Sequence, residues 1–409
     1  MNSKLKLLPF FGLYLGIVLL HLWEPLQGDE GRYVKYATNL AHGYYSSPGQ
    51  IVLLSGPGYP FVLLPFAWLK LPWPLARLAN PLFLFLAVLY FFQTLRLYLD
   101  EKSAFYFGAL FGIYPMFLKY LNFLYTETFA LLLVCGFLYH FCHAFAQQVK
   151  SWRHAFLASC YLGFLALTKV VFGYVILVGI LFFMALYLWR RSYFLKKTFM
   201  VCALALLFCV PYLAYTYALT GRIFYWAVYS GSNFYWMTSP FEEELGDWGG
   251  GGVGHLQASG NPQLIEHHGK FFEALAHSGP VEWDERLKRK ALSNIYHYPV
   301  KFMKNWICNV GRMLFNYPYS YTPQRMGTLF NIFSVMFIPV FAILSIYPSY
   351  VGRSRIPPEI FSILFLGLVA FAGSSLLAAY ERQFRILVPF FILWIFVTLK
   401  KAVQIEILR

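Results

Sequence analysis

Few side chains in this sequence can do chemistry, and those few sit at the edges of long apolar runs. Gly28-Asp29-Glu30-Gly31-Arg32-Tyr33 sets two adjacent carboxylates just past the first such run. Glu127 stands in Leu124-Tyr125-Thr126-Glu127-Thr128, where another run begins, and Lys169 separates two more. Tyr380-Glu381-Arg382-Gln383-Phe384-Arg385 fills a short turn between the last two runs. A carboxylate can take the proton from an attacking hydroxyl, and ammonium or guanidinium groups can stabilise a departing phosphate. Each residue also has a plainer reading. Asp29 could cap a helix and Glu30 favour its dipole. Glu127 could snorkel to an interface, and Lys169 could be an ordinary loop lysine. Arg382 and Arg385 could pair with Glu381 and Glu127.

The elements that must position these groups are membrane helices. Of the 409 residues 59% are hydrophobic and 12% charged, with a mean hydropathy of +0.54; a soluble domain carries about 25% charged residues. Aromatics reach 21%, which suits rings at membrane interfaces. The net charge of +15 is scattered in small groups between apolar runs, so it reads as a topology signal and excludes nucleic-acid binding. Cys135, Cys142, Cys160, Cys202, Cys209 and Cys308 form no CxxC pair and no Cys/His cluster with metal spacing, so neither a disulfide framework nor a zinc site is indicated. No small-x-small cleavage site follows the first run, which reads as an uncleaved helix.

A spanning helix needs about 20 mostly apolar residues. Candidate spans are 7–23, 78–97, 103–119, 124–146, 153–169, 170–189, 198–219, 327–348, 359–379 and 385–400. The pattern is that of an all-α polytopic membrane protein with roughly ten transmembrane helices. Placing Lys4 and Lys6 inside puts Arg96 with Lys102, Lys150 with Arg153, Arg190 with Arg191, Lys196 with Lys197, Arg353 with Arg355 and Lys400 with Lys401 on the same side. Both termini are then cytoplasmic. Arg382 and Arg385 break that rule on the outer side, which invites a ligand with negative charge.

Two long segments fall outside. Residues 24–77 form a first outer loop within a membrane domain of 1–219, residues 220–326 form a large outer loop between helices 7 and 8, and 327–409 hold the C-terminal helices. The second segment balances ten basic against nine acidic residues up to Arg325. In the first loop Val34, Ala37, Leu40 and Ala41 recur at helical spacing, with Gly43 as a stop. Gly56-Pro57-Gly58-Tyr59-Pro60 leads into an apolar run too short and Pro-interrupted to span, so a re-entrant or interfacial segment is expected. In the large loop Gly249-Gly250-Gly251-Gly252 lacks the Lys-Ser/Thr end of a phosphate loop and reads as a flexible linker. Residues 281–313 turn helical, with Leu287, Ala291 and Ile295 on one face and a break at Pro299, as suits amphipathic interfacial helices.

Taken in order, these pieces resemble the GT-C superfamily of membrane glycosyltransferases, in the branch of the protein O-mannosyltransferases and the lipid A aminoarabinose transferases. The resemblance rests on Gly28–Tyr33 with Ala37 and Gly43, on Gly56–Pro60, on Thr126-Glu127, and on Thr168-Lys169, where many members have Arg. It continues through Asp284-Glu285-Arg286-Leu287-Lys288 with Ala291, Ile295, Pro299 and Phe302, and ends at Glu381-Arg382 with Pro389-Phe390. It covers most of the chain, although many members have a dozen or more helices and this sequence shows no separate C-terminal soluble domain.

The resemblance implies transfer of a sugar from a polyprenyl-phosphate donor to an acceptor hydroxyl on the extracytoplasmic face of a bacterial inner membrane, with inversion. The acceptor would be a lipid, glycan or protein. It implies Asp29 as the base, Glu30 and Glu127 as catalytic groups holding hydroxyls, and Lys169 and Arg382 on the donor phosphate. Arg32, Tyr33, Tyr59, Glu381 and Arg385 complete the expected substrate contacts. The carboxylates would permit a divalent cation, but no ligand set is evident. The rival reading is a transporter or lipid flippase, which would place ionisable residues near the bilayer midplane at broken helices. The predicted mid-spans are almost free of charge.

Overall fold

The computed structural model describes residues 5–146, 151–323 and 326–403; Lys4, Lys150 and Arg325 lie outside the described residues. Every regular element among the described residues is helical. Helix α1 (Leu8–Leu20) is followed by α2 (Glu30–Ala41) and α3 (Gly58–Trp68), both within residues 24–77. Then come α4 (Ala79–Leu95), α5 (Glu101–Gly112), a single turn α6 (Pro115–Leu118), α7 (Thr126–Ala146), α8 (Ser151–Thr168), α9 (Val171–Arg190) and α10 (Tyr193–Thr220). The segment after α10 folds as α11 (Ser230–Met237), α12 (Val253–Ser259), α13 (Pro262–Leu275), α14 (Pro280–His297) and α15 (Pro299–Phe315). The chain closes with α16 (Gly327–Val335), α17 (Phe337–Val351), α18 (Pro358–Ser375) and α19 (Glu381–Ala402).

Among the described residues, seven helical stretches are long and apolar enough to cross a membrane, α16 and α17 counting as one. The protein is an integral membrane protein. Helix α7 is the axis of the bundle: 83% of its apolar window is buried, against 33% for α9 and α10 and 17% for α16–α17. Helices that are apolar on every side yet exposed within the protein must face lipid. Helices α4, α8 and α19 pack on α7.

The expected span 103–119 is not one helix. Pro115 biases Tyr114 out of the helical region (φ −61°, ψ 118°), so α5 stops at Gly112. Its 12 residues reach about 18 Å, short of a hydrocarbon core of about 30 Å. The chain does divide around Lys169: α8 ends at Thr168, α9 begins at Val171, and the lysine occupies the turn. Pro299 likewise separates α14 from α15. The run 249–252 is irregular but anchored, since the Trp236 indole donates to the Gly250 carbonyl at 2.7 Å.

Candidate active site

Asp29 occupies the N-cap position of α2, yet its backbone is helical (φ −73°, ψ −12°) and its side chain makes no capping bond. The expected cap is therefore absent and the carboxylate is free for other partners. Gly28 makes this possible in two ways. It adopts φ +54°, and a Cβ there would lie 2.4 Å from the Tyr125 hydroxyl. Asp29 Oδ2 receives Arg382 Nη1 at 2.8 Å and lies 3.1 Å from Arg32 Nη2. Burial works against ionisation, but Arg382, Arg32 and Lys169 outweigh it and hold this carboxyl below its ordinary range.

Glu30, one residue on, points the other way. It is fully buried, takes a forked contact from Arg77 Nη2 at 3.0 and 3.1 Å, and accepts the Leu124 amide at 2.7 Å. Arg77 also donates to the carbonyls of Leu22 and Glu24 at 3.0 and 2.8 Å. The pair thus ties the end of α1, the start of α2, the turn before α4 and the loop before α7 into one joint.

Glu127, in the first turn of α7, is 6% exposed and meets Lys169 Nζ at 2.9 Å. Arg382 Nε lies 3.9 Å from the same oxygen. Arg382 therefore stands between Asp29 and Glu127, with the ring of Tyr125 5.8 Å beneath it. It is carried on α19, whose start is fixed by a reciprocal cap between Tyr380 and Gln383. Lys169 is positioned by a close approach of the chain at the entry to α3: a Cβ on Gly56 would lie 2.1 Å from the Leu167 carbonyl oxygen, and one on Gly58 2.3 Å from the Thr168 hydroxyl.

The charges open onto a cavity of about 620 Å³ lined by Asp29, Arg32, Lys119, Lys169, Glu381 and Arg382, with Tyr229 and Trp248 from the segment after α10 and Tyr380 from the turn before α19. Four cations face two carboxylates there. Burial pushes the Tyr229 hydroxyl up to about 12, against the pull of Arg32, so it stays protonated and able to donate. Of the remaining residues singled out from the sequence, Glu30, Tyr33, Tyr59 and Arg385 do not reach this cavity, and Glu127 lies just behind it. Tyr33 and Tyr59 are buried edge-to-face at 5.4 Å beneath Arg32. Arg385 is held inside by Glu381 at 2.8 Å, the Met116 carbonyl at 2.6 Å and the Tyr120 ring at 4.2 Å. It pairs with Glu381 and not with Glu127. Lys119, which the sequence reading passed over, also bonds Glu381. Its signal was present: it ends the apolar run 103–119.

No protein-family model matches this chain, and no curated protein matches it. Solved structures do. An oligosaccharyltransferase from Archaeoglobus fulgidus in the apo form superposes with a TM-score of 0.57 at 14% identity, over 96% of this chain and 50% of the other. The oligosaccharyltransferase AglB from Archaeoglobus fulgidus, in complex with an inhibitory peptide and a dolichol-phosphate, gives 0.54 at 15% identity, again over 96% and 50%. ArnT from Cupriavidus metallidurans in the apo state gives 0.45 at 14%, over 98% and 78%. This chain spans about half the length of the archaeal enzymes.

Proposed function

We propose, from the GT-C fold that this chain shares with those archaeal enzymes, that it is a membrane glycosyltransferase using a polyprenyl-phosphate-linked sugar. The acceptor is a hydroxyl on a lipid, glycan or protein, the reaction inverts the anomeric carbon, and it runs on the extracytoplasmic side of a bacterial inner membrane. The single observation that carries the reading is the placement of Arg382 between Asp29 and Glu127, beside Lys169, at a cavity with surplus positive charge.

In this reading the acceptor oxygen attacks the anomeric carbon as the bond from that carbon to the phosphate oxygen breaks. The lipid phosphate leaves with the bonding pair, and Lys169, Arg382 and Arg32 stabilise its charge. The acceptor proton passes to Asp29. An incoming phosphate competes for Arg382, which loosens its 2.8 Å contact with Asp29 and leaves that carboxylate to the hydroxyl. Glu127 keeps Lys169 and Arg382 in place from behind. Glu381 Oε2 is buried with no hydrogen-bond partner among the described residues, so a sugar or acceptor hydroxyl would satisfy it.

A lipid tail has somewhere to lie. An apolar groove of about 790 Å³ runs between α5, α17 and α19, from Tyr114 and Pro115 toward Leu99 and Lys400, and Lys119 of the charged cavity stands four residues past Pro115. AglB, solved with a dolichol-phosphate, shares the fold, which supports a lipid phosphate as ligand.

The test is transfer in proteoliposomes from a radiolabelled polyprenyl-phosphate sugar to acceptor extract. Asp29→Asn should lower transfer by about 10²–10⁴-fold while donor still binds. An Asp29→Asn protein that transfers at the normal rate removes Asp29 as the base. A protein that binds no polyprenyl phosphate at all removes the donor class.

A further inference from the structure

Away from the charged cavity, the second outer segment gathers three metal-ligating side chains that neither sequence spacing nor the proposed reaction uses. Glu244 precedes α12, and His267 and His268 are adjacent on α13. His268 Nε2 lies 2.9 Å from both oxygens of Glu244, and His267 Nδ1 lies 2.9 Å from Oε1. Glu244 and His268 are buried, at 3% and 1% exposure, while His267 is 19% exposed. One ligand atom from each comes within 4.8 Å of the others.

The geometry points to a zinc site, which we infer to be structural: Glu244, His267 and His268 bind one Zn²⁺, with the Tyr321 hydroxyl or a water as fourth ligand. Two imidazoles and a carboxylate are a borderline-soft donor set that suits zinc over magnesium or calcium, which prefer oxygen alone. Tetrahedral bonds of about 2.0–2.2 Å place neighbouring ligand atoms about 3.3 Å apart. The Glu244–histidine separations need to open by a few tenths of an ångström, and the His267 ring, 19% exposed, must turn toward His268.

The surrounding groups orient the ligands. The Tyr235 hydroxyl is 2.7 Å from His268 Nδ1; with that nitrogen protonated and donating to Tyr235, Nε2 presents its lone pair toward Glu244. Ser239 donates to Glu244 Oε2 at 2.5 Å, and Tyr321 approaches Oε1 at 3.2 Å. The Phe241 ring stacks on His267 at 3.7 Å, excluding water from one side. A metal here would clamp three separate stretches: α11 through Tyr235, the irregular segment after it through Glu244, and α13. That same irregular segment continues to Trp248, and α11 supplies Asn233, so both reach the wall of the charged cavity.

The experiment uses the full chain in detergent, stripped with chelator, dialysed, and titrated with zinc alone. Wild type should bind one equivalent by elemental analysis and unfold at a higher temperature with zinc than without. Cobalt in place of zinc should give the visible bands of a tetrahedral site. His267→Ala, which leaves the buried Glu244–His268 contact intact, should weaken zinc at least about 10-fold, and Tyr235→Phe should weaken it about 10–100-fold. Glu244→Gln should abolish uptake. The assignment is overturned if stripped wild type takes up no zinc, or if uptake and the cobalt spectrum are unchanged in both His267→Ala and Glu244→Gln.

Discussion

Adjacent residues in this chain do opposite work. Asp29 and Glu30 are neighbours in sequence, but α2 turns them to different sides: Asp29 reaches Arg382 at the cavity, and Glu30 is locked onto Arg77 inside. Removing one partner of a buried, forked pair leaves the other uncompensated. Glu30→Gln should therefore destabilise the protein by about 3–5 kcal/mol, seen as a lower unfolding temperature in detergent, with lost activity following lost fold. Asp29→Asn should leave that temperature nearly unchanged. The folded-state value of Asp29 is lowered by Arg382 and Arg32 in spite of burial, so its pairing is fully present above the unfolded value of about 3.9 and is lost only as pH falls through the lower folded value. The kcat/KM for transfer, which reports the free enzyme, should show no acid limb from Asp29 above about pH 4; a limb centred near neutrality would assign the base to another group.

At the scale of elements, what places Lys169 is the contact between the entry to α3 and the end of α8. Gly56 and Gly58 admit the backbone of Leu167 and Thr168 where no side chain fits. Gly56→Ala must push the segment off α8, at a cost of about 1–3 kcal/mol, and carry Lys169 out of register with Arg382. The expected readout is a raised KM for the lipid donor together with a lower unfolding temperature; an unchanged KM would show that Lys169 is held from elsewhere. The helices themselves were largely legible. The Val34–Ala41 periodicity, the Lys169 division and the Pro299 break all reappear as α2, the α8–α9 turn and the α14–α15 junction. Residues 103–119 were misjudged because hydropathy counts apolar residues and does not register that Pro115 stops a helix.

At the scale of the molecule, the charged cavity and the apolar groove both take part of their walls from α19, which carries Arg382 at one end and the groove residues Ile392, Ile395 and Lys400 further along. If the groove holds a polyprenyl tail, Ile395→Trp should fill part of it. The KM for a long-chain donor should then rise several-fold more than that for a short-chain donor, and equal changes for both would place the tail elsewhere.

By itself the sequence determined a membrane-embedded helical chain, because hydropathy and the distribution of Lys and Arg are local properties that each stretch carries with it. It also marked Asp29, Glu127, Lys169 and Arg382, since an ionisable group at the edge of an apolar run is costly and so stands out. Only the tertiary structure decided which of them meet. The ion pair between Asp29 and Arg382 joins residues 353 positions apart, and the cluster of Glu244 with two histidines forms because α13 folds back onto the segment before α12. Such long-range closures depend on how packed helices bring their ends together in space, and no local pattern of residue types encodes that distance.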